Sequence, residues 1–309
     1  MPAYNTAHLI EHALESVFVQ TFREFEIVVV NDGSPDTPEL ERVLAPYQEK
    51  IVYIKQENKR AAGARNTAIR QAKAEFVAFL DSDDTWTPDH LDSQMKLFEQ
   101  DPTLDMVYSN GILETPVSAR NFMDICPSSG PATFVALVVE RCQIPVSTVV
   151  ARKRALEKAG LFDESLARCD DYHMWLRTAF WGAKIGYSHK VQARLSGIRP
   201  GALGASSVKM IEAYWKILEN LMETLPLNGS QKNLVSQRAL EARAYYLLAE
   251  GKIHLQEGRL REAQQSFSES NLQLQKPKLS LVLLGLKVAP GATRSLVALV
   301  NRIRNGAVS

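Results

Sequence analysis

The chain has 309 residues, of which 45% are hydrophobic and 23% are charged, and its formal net charge is +1. This composition is typical of a globular protein with one large domain and an appendage, and the near-zero charge excludes a global field that would select nucleic acid. The three cysteines are widely spaced and form no CxxC pair, which argues against a zinc site or a disulfide framework and fits a reducing compartment.

Targeting and membrane-spanning patterns are not found in the sequence. No basic segment followed by an apolar stretch stands at the N-terminus, so we expect no signal peptide. No run of about 20 apolar residues occurs, so we expect no spanning helix. Together with the cysteine usage, these features predict a cytoplasmic protein.

The first 110 residues alternate between helix-like and strand-like patterns. Apolar residues at helical spacing predict helices over 5–20, 38–49, 61–74 and 88–100. Short apolar or β-branched runs between them predict strands over 26–34, 50–56, 75–80 and 104–110. Such alternation is typical of an α/β domain with a mostly parallel central sheet covered by helices on both faces.

Residues 111–200 are less regular. The pattern there predicts helices over 131–142, 152–160 and 170–183. It predicts strands over 146–153 and 184–191. Two tryptophans of the third helical pattern, Trp175 and Trp181, are interpreted as core residues, and His173 as a packing or surface residue.

From about Ser206 onward the pattern is helical. Residues 244–270 resemble one tetratricopeptide unit. Four residues stand at the spacing of that repeat: Gly251, Gly258, Ala263 and Phe267. Because stacked repeats need about three units for stability, we interpret this segment as a single helical hairpin within a helical C-terminal region over 205–309.

The tail after Glu269 has an unusual charge pattern. It contains no Asp or Glu, whereas it contains Lys276, Lys278, Lys287, Arg294, Arg302 and Arg304. Such a basic, partly apolar tail can lie on an anionic membrane surface, as a peripheral contact at its inner face. It can equally dock on the helical hairpin as part of a core, and of the two we favour docking.

Two acidic stretches follow strands of the predicted sheet, "NDGS" over 31–34 and "DSDD" over 81–84. Ligands of such sheets bind beyond the carboxyl ends of the strands, so the two stretches are expected at one edge. Neighbouring carboxylates resist ionising together unless a cation or hydrogen-bond donors compensate. The cluster therefore predicts either a solvated turn or a site for something positive.

Five motifs occur in a fixed order along the chain: "PAYN" (2–5), "VVVNDGSPD" (28–36), "GARNTAI" (63–69), "FLDSDD" (79–84) and "DDYHMWLR" (170–177). As an ordered set they resemble the family-two glycosyltransferases, inverting enzymes with a nucleotide-sugar-binding GT-A fold. The resemblance covers about residues 2–200 and implies a GT-A domain over 1–204. It implies transfer of a sugar from a nucleotide-diphosphate donor, a UDP-sugar, to the hydroxyl of a glycan or glycolipid in cell-surface polysaccharide or glycolipid synthesis.

One departure from the family stands at the first motif. In the family a strand precedes the "PAYN" turn, whereas this sequence begins at Met1 and enters the turn at Pro2. Either the strand is absent or the chain is truncated, and if the strand is missing, a central position of the sheet is expected to be open.

The "DSDD" stretch is expected to bind the donor diphosphate through a metal. The resemblance assigns Asp81 to the ribose and Asp83 to a divalent cation, with Asp84 as a supporting residue behind them. Mg²⁺ or Mn²⁺ prefers oxygen ligands and neutralises both carboxylates and phosphates. The alternative is that Asp83, Asp84 and Thr85 form a polar turn and helix cap.

The nucleotide is expected to contact the first half of the domain. The resemblance implies that Asp32 accepts a hydrogen bond from uracil and that Pro2 and Tyr4 flank the base, with the Tyr4 ring as a stacking face. We expect "GARNTAI" to begin a helix at a glycine-containing turn, with Arg65 on phosphate or nucleotide oxygens. The alternative for Arg65 is an ion pair with the acidic cluster, and both roles are compatible.

The catalytic base is expected in the acidic pair at the start of the 170–183 helix. Inverting transfer needs one base that takes the proton of the acceptor hydroxyl. The resemblance assigns this role to Asp171, with Asp170 beside it in place of the usual Glu. The alternative is that both are favoured there by the helix macrodipole. The resemblance implies that Arg199, in a glycine-containing loop, contacts the diphosphate or acts in a lid where many family members have His; the alternative is a plain surface loop.

Two other classes of function stay open. A nucleotidyltransferase on a similar fold would need a Gly- and basic-rich loop near the first strand, and residues 1–30 contain none. A non-catalytic nucleotide-binding or scaffold protein would use the helical C-terminal region. Metal-dependent binding of UDP distinguishes the glycosyltransferase from both.

Overall fold

A computed structural model of the chain describes residues 1–115, 117–197 and 207–295. The chain divides into two compact units, the first over 1–205 and the second over 206–309. The first unit contains both strands and helices, and the described residues of the second are helical.

The helices of the first unit are α1 (Ile10–Phe18), α2 (Thr37–Leu44), α3 (Arg60–Gln71), α4 (His90–Gln100), α5 (Phe122–Ile125), α6 (Phe134–Val138), α7 (Lys153–Lys158) and α8 (Asp170–Phe180). Its strands are β1 (Pro2–Ala3), β2 (Val28–Asp32), β3 (Val52–Gln56), β4 (Phe76–Ala78), β5 (Thr85–Trp86), β6 (Met106–Thr115), β7 (Ser118–Asn121), β8 (Val149–Arg152) and β9 (Ile185–Ser196). Two 3₁₀ segments cover Ala45–Lys50 and Val146–Thr148.

The strands form two sheets. The first has the order β1-β2-β3, and both of its pairings are parallel. The second has the order β4-β8-β6-β9-β5, with β7 paired to β6, and only the β6–β9 pairing is parallel. The predicted α/β fold is confirmed, but the expected mostly parallel pairing holds only for the first sheet, whereas the second is mixed. One reason is chain length, because two residues join β6 to β7 and a parallel crossover needs about a dozen.

The core of the first unit explains why these segments fold as they do. The β-branched run of β2 is buried on both faces, as expected for a parallel strand covered by helices. The amphipathic helix α1 buries Ile10 and Leu14 completely, together with Val29 of β2 and Val107 of β6. Packing of α1 against both sheets thus brings the loops that follow β2 and β4 to the same region.

An apolar cavity lies beside β1. The strand β1 contains only two residues, and Met1 continues its pairing through hydrogen bonds with Val28 and Val30 of β2. The cavity has a volume of about 200 Å³ and is lined by residues of β2, β4 and α3, among them Val28, Ile69 and Val77. The edges of β2 and β4 therefore face an apolar space.

The second unit is built from α9 (Ser207–Thr224), α10 (Gly229–Glu257), α11 (Leu260–Leu274) and α12 (Pro277–Val288). A capping box between Asn228 and Gln231 starts α10, and Gly258 ends it in the left-handed conformation with φ of 83°. The segment that resembles a tetratricopeptide unit is part of the hairpin that α10 and α11 form. No helix within the described ranges is long and apolar enough to cross a membrane.

The contact between α10 and α11 depends on Gly251. A Cβ atom at this position would lie 2.6 Å from Cδ1 of Phe267, and Phe267 is 3% exposed. The spacing that resembles the repeat therefore has a steric basis, because the glycine lets the aromatic ring approach the backbone of α10.

We expect Gly251→Ala to destabilise the second unit by about 1–3 kcal/mol, because the methyl group overlaps the Phe267 ring in a packed core. Thermal unfolding followed by far-UV circular dichroism measures the effect. Gly229→Ala is the matched control, since no atom lies within 4 Å of a Cβ placed there. Equal stability of the two variants would contradict the close packing.

Candidate active site

Three loops meet at the carboxyl ends of β1, β2 and β4. The amide of Asn5 donates to Ser34 Oγ at 2.6 Å, and the amide of Ala7 donates to Asp36 Oδ2 at 2.8 Å. The hydroxyls of Thr6 and Ser82 lie 2.9 Å apart. The "PAYN" turn is thus tied both to the turn after β2 and to the acidic loop after β4.

Asp32 ends β2 and is 2% exposed. Its Oδ1 accepts hydrogen bonds from Gln56 Nε2 at 2.7 Å and from the Lys59 amide at 2.8 Å. Gly33 follows with φ of 64°, and a Cβ atom there would lie 2.8 Å from the amide nitrogen of Asn58. Both hydrogen bonds end on one oxygen, so the carboxylate is held in a defined orientation.

The two residues expected to flank a base differ in exposure. Tyr4 is 52% exposed, so its ring is open to a planar ligand. Pro2 belongs to β1 and is half-buried, with its backbone opposite Val30 of β2. Asn5 next to them has a positive φ of 55°, which turns the chain away from the sheet.

Arg65 links the two acidic motifs of the sequence. It is 6% exposed, and its Nη1 donates to Asp170 Oδ2 at 2.6 Å. Its Nη2 donates to both oxygens of Asp81, at 2.7 and 3.0 Å. Burial acts to lower the pKa of the guanidinium, but the surrounding carboxylates, with Asp81 the strongest, outweigh it and raise that pKa. Arg65 is therefore the ion-pair partner of the acidic cluster.

The start of α3 differs from the prediction. The helix begins at Arg60, one residue before the predicted range of 61–74, so "GARNTAI" does not begin it at a glycine-containing turn: Gly63 lies inside the helix and Arg65 is not at its N-terminus. The neighbouring Asn66 exchanges two hydrogen bonds of 2.8 Å with the backbone of Phe162. Arg65 and Asn66 together fasten α3 to the segment that leads into α8.

The acidic pair stands in the first turn of α8. Cys169 precedes it in the left-handed conformation with φ of 55°, an uncommon conformation for a residue with a side chain. Asp170 is 7% exposed and pairs with Arg65, whereas Asp171 is half-buried. Burial, and then the charge of Asp170, raise the pKa of Asp171 to about 6.

The loop after β4 holds its carboxylates differently. Asp84 is 8% exposed and accepts hydrogen bonds from Ser147 Oγ at 2.5 Å and from the Ser196 amide at 2.6 Å. Burial, with smaller effects of Asp81 and Asp83, raises the pKa of Asp84 to about 8. Asp84 thus connects the loop to the 3₁₀ segment before β8 and to the end of β9. Of the alternative interpretation, the turn is present, with the Asp84 amide donating to the Asp81 carbonyl at 3.0 Å, but the helix cap is wrong, because Thr85 begins the strand β5.

Asp83 lines an open cavity of about 330 Å³. The other walls of this cavity come from α1, β6 and β9, with the exposed ion pair of Arg194 and Glu114 on one side. Within the residues that the structure describes, no group of three or more His, Cys, Asp or Glu side chains is arranged to hold a metal ion. A cation here would need ligands beyond those that the described residues provide.

The structure brings together four of the residues singled out from the sequence: Arg65, Asp81, Asp170 and Asp171. Arg199 lies outside the described residues. His173 is 3% exposed and Trp175 is 1% exposed, so both are packing residues, but the core interpretation is wrong for Trp181, which is 40% exposed.

Several supporting residues were missed. Ser147 donates to Asp84 and also accepts from the Asp81 amide at 3.0 Å, and Gln56 orients Asp32. No local signal marks Ser147, because 63 residues separate it from Asp84. Gln56 is the last residue of a predicted strand, and this position indicated that its side chain could lie at the same sheet edge as Asp32.

Residues 1–123 match the family model described as glycosyl transferase family 2. The chain is 27% identical over 256 residues to an Escherichia coli protein, WfgD, and the match spans 80% of this chain and 89% of that protein. The full name of WfgD is UDP-Glc:alpha-D-GlcNAc-diphosphoundecaprenol beta-1,3-glucosyltransferase.

Two solved structures share the fold. TarS of S. aureus, residues 1–349 in complex with UDP-GlcNAc, superposes with a TM-score of 0.65 at 18% identity, covering 99% of this chain and 90% of that one. The mannosyltransferase PcManGT of Pyrobaculum calidifontis, in complex with GDP-Man and Mn²⁺, superposes with a TM-score of 0.60 at 21% identity. That match covers 99% of this chain and 84% of PcManGT.

Proposed function

Because residues 1–123 match the glycosyl transferase family 2 model and the fold is shared with solved glycosyltransferases, we propose that the chain is a family 2 glycosyltransferase that transfers a sugar, with inversion, from a UDP-sugar to a hydroxyl group of a lipid-linked glycan. The observation that carries the proposal is the double ion pair of Arg65, which holds Asp81 of the donor loop and Asp170 of α8 on one guanidinium. Asp171 follows Asp170 directly. Asp81, on the donor side of the reacting sugar, and Asp171, on the acceptor side, therefore belong to one connected cluster.

The donor assignment is supported by the loop after β2. Asp32 is held by Gln56 and the Lys59 amide with Oδ1 occupied, so Oδ2 is the oxygen we assign to a uracil N–H. Tyr4 is exposed beside this loop and presents a face on which a base can stack. The name of WfgD gives UDP-Glc as its donor, which agrees with a uridine nucleotide.

The acceptor assignment is supported by relatives rather than by a pocket. WfgD is named for an α-D-GlcNAc-diphosphoundecaprenol acceptor, and a second relative is named as a succinoglycan biosynthesis protein, ExoW. We therefore propose a polyprenyl-diphosphate-linked glycan as acceptor and a role in polysaccharide assembly at the inner face of the membrane. The identity of the sugar is the subject of the donor panel below.

The residues present fit a hard divalent cation that a diphosphate helps to bind. Mg²⁺ or Mn²⁺ is usually held by one or two carboxylates plus substrate phosphates rather than by a protein cage. Asp83, with Asp81 two residues before it, supplies such oxygen donors, and among the described residues no group of three or more carboxylate, His or Cys side chains is arranged to hold a metal. When bound, the cation would neutralise charge on the leaving diphosphate.

The chemistry assigned to the chain's own residues is a single proton transfer. Asp171 accepts the proton of the acceptor hydroxyl as the oxygen attacks the anomeric carbon opposite the diphosphate. Arg65 forms an ion pair with Asp170, so Asp170 stays in place beside the base. Asp84 is tied to Ser147 and Ser196 and positions the loop that carries Asp81 and Asp83.

A donor panel tests the proposal. Release of nucleoside diphosphate is measured for UDP-, GDP- and dTDP-sugars, with a short polyprenyl-diphosphate-linked N-acetylglucosamine as acceptor. We expect acceptor-dependent release from one UDP-sugar and a product with an inverted anomeric configuration by NMR. Transfer from none of these donors, or retention of configuration, would contradict the proposal.

The pH dependence of kcat/KM is expected to report the proposed base. A base acts only when it is ionised. We therefore expect kcat/KM to rise as the pH increases through the pKa of Asp171, about 6, and to decrease at pH values below this pKa. An ordinary aspartate would place this inflection near pH 4. Initial rates across the acidic range measure it, and a profile that stays flat down to about pH 4 would exclude Asp171 as the group observed.

We expect Asp83→Ala to abolish the metal-dependent part of UDP binding, because the cation loses its main protein oxygen. Isothermal titration of UDP with and without Mn²⁺ measures the change. Asp92→Ala on α4, an exposed carboxylate paired with Lys96, is the control and should bind as the unaltered chain does. Tighter binding of UTP than of UDP would favour a nucleotidyltransferase, and no nucleotide binding would favour a scaffold protein.

A further inference from the structure

The helix α12 has two apolar faces. One face buries Leu279 and Leu286, which are 6% and 4% exposed and pack with Phe267 of α11. The other face carries Leu281, Leu284 and Val288, which are 69%, 59% and 77% exposed. Val282 and Leu283 also pack against this cluster, so docking on the hairpin leaves three of the seven Leu and Val residues of α12 exposed.

The exposed residues form a continuous stripe. Each residue turns a helix by about 100°, so positions 281, 284 and 288, at i, i+3 and i+7, lie on one side. The buried Leu279 and Leu286 fall about 180° away on the opposite side. A helix that is apolar on two opposite sides requires a second apolar surface outside the hairpin.

The charges next to the stripe identify that surface. Lys278 and Lys287 are exposed, and the same geometry places them about 90° from the stripe, one on each side. No Asp or Glu occurs after Glu269, so no carboxylate of the tail opposes them. Long basic side chains that flank an apolar stripe can reach phosphate groups while the stripe enters the acyl boundary.

We propose that α12 docks the chain on an anionic membrane surface, with Leu281, Leu284 and Val288 inserted at the acyl boundary and Lys278 and Lys287 on lipid phosphates. A membrane is favoured over a protein partner because the basic residues flank the stripe on both sides with no acid among them. The docking does not depend on the reaction, although it would hold the enzyme at the surface that carries a lipid-linked acceptor.

Vesicle co-sedimentation of the full chain tests the proposal. We expect binding to mixed phosphatidylglycerol and phosphatidylcholine vesicles to exceed binding to pure phosphatidylcholine by about 10-fold or more, and to weaken in about 0.5 M salt. The vesicles contain neither nucleotide nor acceptor, so failure here leaves the proposed reaction untouched. Equal binding to both vesicle types would overturn the proposal.

Variants separate the stripe from the charges. Leu281→Gln/Leu284→Gln/Val288→Gln should lower binding to both vesicle types, while Lys278→Gln/Lys287→Gln should remove only the anionic preference. Leu240→Gln, on a residue of α10 that is 50% exposed, is the matched control. Circular dichroism and thermal unfolding confirm that each variant is folded.

Two outcomes would overturn the assignment. A triple variant that binds vesicles as the Leu240→Gln control does would show that the stripe does not enter the membrane. A chain that self-associates in sedimentation equilibrium without vesicles, and loses this association in the triple variant, would assign the stripe to a second copy.

Discussion

Replacing Asp171 with asparagine is expected to lower kcat for sugar transfer by about 10²- to 10⁴-fold, the range that a general base contributes. The amide is isosteric with the carboxylate and can still accept the 2.8 Å hydrogen bond from the Tyr172 amide. It cannot take a proton from the acceptor hydroxyl. The KM for the donor should change little, because Asp171 is not assigned to the nucleotide.

Thermal stability is expected to distinguish Asp171→Asn from Asp170→Asn. Removing the charge of Asp171 relieves repulsion with Asp170, so Asp171→Asn should unfold at the same temperature or slightly higher. Asp170→Asn removes a partner of the buried Arg65 and should unfold at a lower temperature. Acceptor-dependent transfer and thermal unfolding are measured for both.

Transfer at the full rate by Asp171→Asn would remove this residue from the role of base. Donor hydrolysis is not the appropriate readout, because water can attack the sugar without the base. Product formation on the acceptor is therefore measured directly.

Replacing Arg65 with methionine is expected to destabilise the first unit by about 3–5 kcal/mol, because it leaves Asp81 and Asp170 without their shared buried cation. The side chain is 6% exposed, so water cannot replace the guanidinium without opening the site. Chemical denaturation followed by tryptophan fluorescence measures the loss.

The pH profile provides a second readout for Arg65. Its charge is one of the factors that lower the pKa of Asp171, so its removal should move the inflection in kcat/KM above about 6. A purely structural role would lower stability without moving this inflection. Arg65→Lys keeps the charge but loses the planar guanidinium that spans two carboxylates. Its stability and its inflection pH should lie between those of the unaltered chain and of Arg65→Met.

Arg70→Met is the matched control for Arg65→Met. Arg70 lies on the same helix and has an ion pair with Glu164 at 3.7 Å, but its side chain is 59% exposed. Exposed ion pairs contribute at most about 1 kcal/mol. Equal destabilisation by the two substitutions would contradict the special place of Arg65 in the acidic cluster.

The sequence predicted the first part of the fold well because its signals are local. The buried run of β2, the amphipathic pattern of α1 and the turn at Gly33 each depend on neighbouring residues. The second sheet was harder to predict, since β4, β6 and β8 pair across the chain in an antiparallel order that periodicity does not encode. The range of α3 was predicted to within one residue at its start, but Gly63 was interpreted as part of a turn at the helix N-terminus and lies inside the helix.

The basic tail illustrates the same limit. Its composition allowed either docking or membrane contact, and the structure shows that one face of α12 is docked while the opposite face is exposed. Helical periodicity alone does not reveal this, because α12 is apolar on both sides. Only the position of α11 decides which side is buried.

The sequence by itself determined which chemical groups are available: carboxylates after buried strands, an acidic pair at a helix start and a glycine where φ must be positive. Only the tertiary structure decided which of them act together, since Arg65 meets Asp170 across 105 positions and Ser147 meets Asp84 across 63. The physical reason is that a buried charge requires a partner, but the partner is chosen by packing of distant segments rather than by proximity along the chain.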